Sequence, residues 1–179
     1  FAVSRGALRC ILSTITSVAP AALTFDYDAH GKPSLAAGQT TSAVEFNVSH
    51  AGDLALVAVS AGRAIGVDLE RLRPIEQMDD LVRQTFSARE QRAFHALPVD
   101  QRQRAFFEVW TRKEALLKAL GVGLSREPST IDVWGDHDIQ LGDPAESALW
   151  TVLELDPGTD YVGALAVRAR DVTVQTWEW

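Results

Sequence analysis

Six consecutive residues, Ile65-Gly66-Val67-Asp68-Leu69-Glu70, constrain this chain more than any other stretch. They read as a strand, and neighbouring side chains on a strand point to opposite faces. Val67 and Leu69 then enter a core, while Asp68 and Glu70 share the other face. Carboxylates two positions apart lie roughly 7 Å from each other. At an effective dielectric near 20 their repulsion is about 2 kcal/mol, and burial would add to it. Such a face is stable if it is fully wet or if a cation sits on it. The second alternative makes the stretch a candidate site.

With 179 residues the chain suffices for one domain or two intimate halves with an ample core. Its net charge of -7 argues against a general nucleic-acid binder, which would show a basic surplus. Cys10 is the single cysteine, which excludes an internal disulfide or a zinc-cysteine framework and fits a reducing cytosol. The early apolar run is interrupted by Ser13, Thr14, Thr16 and Ser17, so it is too polar for a membrane span or a signal-peptide core. A chain that starts at Phe1, inside a helical pattern and without Met, is expected to have lost residues upstream.

From Phe1 to Val18 apolar residues recur at helical spacing, and Pro20 stops the pattern. Arg5 and Arg9 share one flank of this helix, either as a solvated basic edge or as phosphate contacts. Leu23 to Asp28 reads as a short strand, 29–33 as a turn, and Leu35 to Ser42 as loop. Pro33 biases Lys32 towards an extended backbone, though Lys32 alone reads as a surface lysine. Val44 to Val48 alternates like a half-buried strand and runs into a loop holding Ser49 and His50. Leu54 to Ser60 reads as a central strand. The short link Ala61-Gly62-Arg63 suggests that it pairs antiparallel with the Ile65 strand, which would set His50 beside Asp68 and Glu70.

A helical stretch through Met78, Leu81, Val82 and Phe86 follows. Ser87-Ala88-Arg89-Glu90 then matches a capping box, which accounts for Glu90 without catalysis. A long helix is expected from about Asp100 to Leu120, stopped by Gly121, with Phe106, Phe107, Trp110, Leu117 and Leu120 on its buried side. Glu114 and Lys118, four apart, share one face. As a plain helix pair they would contribute only about 0.3 kcal/mol. Arg112 and Lys113 read as a solvated flank. Short strands are expected at Ile131 to Trp134, Ala148 to Leu155, Tyr161 to Arg168 and Val172 to Trp177, as hairpins covering a sheet. His137 and the acids around it read as loop solvation.

Four blocks, taken together, point further: Gly31-Lys32-Pro33, Phe46-Asn47-Val48-Ser49-His50, Gly66 to Glu70, and Trp110 to Gly121. In this order and spacing the chain resembles the 4′-phosphopantetheinyl transferases of the surfactin-synthetase-activating type. Phe86 to Glu90 and Asp156-Pro157-Gly158 fit the same pattern, and the resemblance covers nearly the whole chain.

The resemblance implies an α+β fold of two similar halves about a pseudo-twofold, here 1–61 for nucleotide contacts and 62–179 for the metal site and carrier docking. Relatives of this kind carry a further strand and helix before the point where this chain begins. The implied enzyme is a holo-acyl-carrier-protein synthase. It would move the phosphopantetheine arm of coenzyme A to a serine of an apo acyl- or peptidyl-carrier protein, releasing adenosine 3′,5′-bisphosphate. Fatty-acid, polyketide and nonribosomal-peptide carriers all fit.

Asp68, Glu70 and Glu114 would hold Mg²⁺, or Mn²⁺, since both seek octahedral oxygen donors. Glu114 would take the serine proton and Lys118 would serve the leaving phosphate. Lys32, Ser49, His50 and Arg5 would contact the nucleotide phosphates. Arg83, Arg89, Arg92, Arg102 and Arg104 make the segment Met78 to Arg104 the expected landing place of an acidic carrier. A cytosolic monomer with neither nucleic-acid nor membrane partners is expected. Two rivals stay open: a coenzyme-A- or carrier-binding protein with impaired catalysis, and a metal-dependent pyrophosphate hydrolase.

Overall fold

A computed structural model describes residues 2–40, 43–135 and 139–178. Phe1 of the expected first helix, the end of the 35–42 loop, and His137 with its flanking acids lie outside the described residues. The elements are α1 (Ala2–Thr16), β1 (Phe25–Tyr27), β2 (Pro33–Leu35), β3 (Val44–Ala51), β4 (Leu54–Ala61), β5 (Ile65–Arg71), α2 (Met78–Thr85), α3 (Ala88–Ala96), α4 (Val99–Leu120), α5 (Pro144–Ser147), β6 (Thr151–Leu155) and β7 (Tyr161–Val167).

Helix α1 turns its apolar stripe onto the β3–β4 hairpin. Leu8 and Leu12 are buried there with Leu23 and Phe46, and Val48, Val57 and Val59 pack around them. The larger core lies under α4, where Phe107, Val109, Leu116 and Ala119 join Val82, Phe86 and Phe94 of the preceding segment and Val162, Ala164 and Ala166 of β7. Gly121 ends α4 as expected: its φ of +70° is left-handed, and its N–H returns to the Leu117 carbonyl at 3.1 Å. Among the described residues no helix is long and apolar enough to cross a membrane.

The strand order corrects one expectation. β5 pairs with β7 and not with β4, Asp68 lying opposite Ala164, and β6 completes a sheet ordered β5-β7-β6. Among the described residues β4 pairs only with β3. Side-chain burial explains the choice. Ile65 and Val67, with Leu165 and Val167, form an apolar face that packs against Leu56 and Ala58 of β4. Stacking of β4 on β5 takes the apolar side chains of both strands out of water. The other edge of β5 lies along β3 and is closed by side chains. Asn47 Oδ1 accepts from the Val67 N–H at 2.9 Å, and Ser49 Oγ accepts from the Leu69 N–H at 3.2 Å. Strand β3 therefore runs on through Ser49 and His50, which were expected in a loop.

Three further expectations fail. Val172 to Trp177 is not a strand: Asp171 takes a left-handed φ of +53°, which breaks the extended course, and Trp177 is 79% exposed. Ile131 to Trp134 contributes a single bridge, Asp132 to Gln140, and the β6–β7 hairpin belongs to the sheet it was expected to cover. Arg112 and Lys113 are no solvated flank, being 9% and 0% exposed. Lys113 donates to the Pro128 carbonyl at 2.8 Å and to that of Ile131, and pairs with Glu90 at 2.7 Å. Arg112 donates to the Val133 carbonyl at 3.2 Å and pairs with Glu154. Each cation finds enough fixed acceptors to leave water.

Candidate active site

Helix α4 lies against β5 at Gly66. A Cβ there would come within 2.1 Å of the Ala115 carbonyl oxygen and 2.5 Å of the Ala119 nitrogen, so only glycine permits the contact. Asp68 and Glu70 follow on the same strand face, and Glu114 and Lys118 descend from the helix above. The wet-face alternative for Asp68 is thereby excluded: its residue is 5% exposed.

The Asp68 carboxylate is unevenly satisfied. Its Oδ1 accepts from Lys118 Nζ at 2.6 Å and from Ser49 Oγ at 2.9 Å. Its Oδ2 is buried and has no hydrogen-bond partner among the described residues. Lys118 also donates to Ser49 Oγ at 3.2 Å and to the Val67 carbonyl at 3.3 Å. The ion pair made by Lys118 is thus with Asp68, across the helix–strand contact, and not the helix pair with Glu114. Glu70 pairs with Arg73 at 2.8 Å. Burial pushes the half-buried Glu114 carboxyl above the ordinary glutamate range; Asp68 pushes it further, Lys118 opposes and Glu70 adds to the rise. Glu114 is therefore close enough to feel the charge of both other acids.

Ser49, His50, Asp68, Glu70, Arg73 and Lys118 line an open cleft. His50 is exposed on β3, next to the Asp68 strand as expected, although by a different pairing. Glu114 is not among the residues lining this cleft. Nor is Lys32, whose ammonium donates to the Lys118, Ile65 and Ala119 carbonyls at 2.8, 3.1 and 3.5 Å. A cation at the carboxyl end of α4 is favoured by the helix dipole, and burial lowers the Lys32 pKa. The first-half hairpin is thus clasped to the end of the second-half helix. Arg5 is exposed on α1, also outside the cleft lining.

Among the described residues no three His, Cys, Asp or Glu side chains form a ready-made ion cage. The donor set nevertheless fits a hard divalent cation. Carboxylate oxygens are its preferred ligands, and a buried, unpartnered carboxylate oxygen is costly unless something arrives to use it. Sequence reasoning missed Asn47 and the structural part of Ser49, because both act on backbone amides some twenty residues away. A glycine inside the Ile65 strand was the legible sign of a close backbone approach.

The sequence profile of the 4′-phosphopantetheinyl transferase superfamily matches residues 64–166, and an N-terminal profile of 4′-phosphopantetheinyl transferases matches residues 2–62. The chain is 38% identical to the 4′-phosphopantetheinyl transferase HetI of Nostoc sp., over 100% of this chain and 75% of HetI. It is 34% identical to the 4′-phosphopantetheinyl transferase AcpT of Salmonella typhimurium, over 63% of this chain and 56% of AcpT. A solved holo-[acyl-carrier-protein] synthase from Thermotoga maritima superposes on 59% of this chain and 62% of its own, with a TM-score of 0.47 and 18% identity. With profiles on both sides of Arg63 and a full-length match at 38% identity, the chain belongs to the 4′-phosphopantetheinyl transferase superfamily, a family of enzymes.

Proposed function

We propose that the cleft between β3, β5 and α4 transfers the phosphopantetheine arm of coenzyme A to a serine of an apo acyl- or peptidyl-carrier protein. The observation that carries this reading is the bare, buried Oδ2 of Asp68, within charge-sensing range of Glu114 and with Lys118 at its side. In the transfer the serine oxygen forms a new P–O bond, the diphosphate bridge breaks, and adenosine 3′,5′-bisphosphate leaves.

Asp68, Glu70 and Glu114 are the residues that would hold Mg²⁺ or Mn²⁺. When bound, the ion supplies charge neutralisation at the diphosphate. The chain's own groups do the rest. Glu114, whose carboxyl burial holds above the ordinary glutamate range, is the group proposed to receive the proton of the serine hydroxyl. Lys118, partly exposed, would exchange its long bond to the Val67 carbonyl for one to the phosphate oxygens that gain charge as the bond breaks. His50 and Arg5 are proposed for the nucleotide phosphates. The division at residues 61 and 62 is supported by the two profiles, which end at 62 and begin at 64.

For the carrier we propose the groove beside α2 and the start of α4, lined by Met78, Asp79, Asp80, Val99 and Arg102. Val99 is 77% exposed there, an apolar spot with charged neighbours of both signs. A cytosolic, monomeric protein is proposed with it.

One observation favours the rival that binds without transferring: Lys118 and Arg73 already neutralise Asp68 and Glu70. The test is to incubate the protein with coenzyme A, Mg²⁺ and an apo carrier, then weigh the carrier. A carrier heavier by the phosphopantetheine arm is the expected result. An unmodified carrier with bound coenzyme A would support the binding protein, and free phosphopantetheine would support a hydrolase.

A further inference from the structure

Ser49 presents a problem of hydrogen-bond supply. Its hydroxyl has one proton to give and two lone pairs to receive. The proton goes to Asp68 Oδ1 at 2.9 Å, while the lone pairs take the Leu69 N–H at 3.2 Å and Lys118 Nζ at 3.2 Å. All three places are filled by protein, and Ser49 is buried at 6% exposure. Held in this way it has no proton left for a phosphate.

Asn47, two residues earlier on the same face of β3, is equally buried and takes the Val67 N–H at 2.9 Å. The two side chains thus grip the amides on either side of Asp68, and one of them also grips Asp68 itself. With Oδ1 held by Ser49 and Lys118, the carboxylate cannot rotate without breaking those bonds. Oδ2 is therefore the oxygen that stays bare.

We propose that Ser49, supported by Asn47, is a positioning residue: it crosses from the first half of the chain to orient Asp68 so that Oδ2 is presented for cation capture. This rests on the reading of Asp68 as a metal ligand. Groups that orient a ligand through its second oxygen typically change metal affinity 10–100-fold when removed.

The test uses the full chain and Mn²⁺ alone, with the free aqua ion counted by electron paramagnetic resonance. Ser49→Ala is expected to raise the Mn²⁺ Kd about ten-fold. Ser49→Thr, which retains a hydroxyl, should stay within about three-fold of the parent, and Asp68→Asn should bind no Mn²⁺. Circular dichroism and urea midpoints confirm folding; if Ser49→Ala does not fold, Ser49→Cys, a weak hydrogen-bonder, is read in its place with the same expectation. Loss of binding in Asp68→Asn with unchanged affinity in Ser49→Ala overturns the role of Ser49 alone. So does equal weakening in Ser49→Ala and Ser49→Thr, which would make packing, not the hydroxyl, the cause. A parent that binds no Mn²⁺, or binds it no better than Asp68→Asn, overturns the metal reading and this inference with it.

Discussion

Two lysines five residues apart on α4 form ion pairs of opposite character. Lys113 meets Glu90 in a fully enclosed pocket: both side chains are 0% exposed. Glu90 also accepts from the Ser87 N–H at 2.7 Å and the Val133 N–H at 2.8 Å, and Lys113 donates to two carbonyls besides. Every strong bonding position is spoken for. Lys118 meets Asp68 at a cleft, with the lysine 31% exposed and one carboxylate oxygen bare. A saturated buried pair can only hold structure, because any visitor must first displace a partner. An unsaturated one retains capacity to bind. The same short sequence, Lys113-Glu114-Ala115-Leu116-Leu117-Lys118, thus supplies an anchor on one side of the helix and the proposed site on the other.

The contrast can be broken most severely at the anchor. Lys113→Ala strands Glu90 without its cation and should cost about 3–5 kcal/mol in urea unfolding. The pair of changes Lys113→Met with Glu90→Leu should recover only part of that loss: it removes the unpaired charge, but the Ser87 and Val133 amides and the Pro128 and Ile131 carbonyls lose their partners. Next comes Gly66→Ala, which forces a methyl into the α4 backbone. A loss of about 1–3 kcal/mol is expected, together with a fall in transfer as helix and strand are pushed apart. At the open pair, Asp68→Ala should cost about 1–3 kcal/mol, because the freed Lys118 can hydrate while the buried Ser49 hydroxyl loses its acceptor. Carrier modification, read by mass, should vanish, and an active Asp68→Ala protein would falsify the metal assignment.

The smallest effect belongs to Glu108, a partly exposed acid on the same helix. Burial raises its carboxyl above the ordinary 4.5; Glu154 adds to the rise, and Arg104 and Arg112 oppose it. The folded chain therefore holds this proton more tightly than the unfolded one. The stability it contributes is complete below about pH 4.5 and is lost as pH climbs through the raised folded value. Glu108→Gln should flatten that dependence and leave the protein more stable than the parent at neutral pH, by less than about 1 kcal/mol. A steeper pH profile in the variant would contradict it.

Local signals in the sequence were legible where they are decided locally. The alternation in β5, the glycine stop of α4 and the capping box of Ser87 and Glu90 each depend on residues within a few positions, and all three are present. Placement of Asp68 and Glu70 under the helix bearing Glu114 and Lys118 followed from those elements and the family resemblance. Partners distant in the chain were not legible. Lys113 and Arg112 have long aliphatic stems and charged heads, which suit a surface or a satisfied interior equally until the acceptors are known. Those acceptors come from 128–135 and Glu154, segments with weak periodicity. The choice of β7 over β4 as the partner of β5 was likewise settled by which faces could stack, a three-dimensional matter that a short link between strands does not reveal.

The side-chain seam between β3 and β5 has a consequence for solubility. Strands that end a sheet usually recruit foreign strands through their free amides. Here two short polar side chains occupy the Val67 and Leu69 amides, so that edge offers no template while β3 stays in place. A fragment beginning at Gly62 would lose those plugs and uncover an apolar, β-prone run, making self-aggregation its most direct fate.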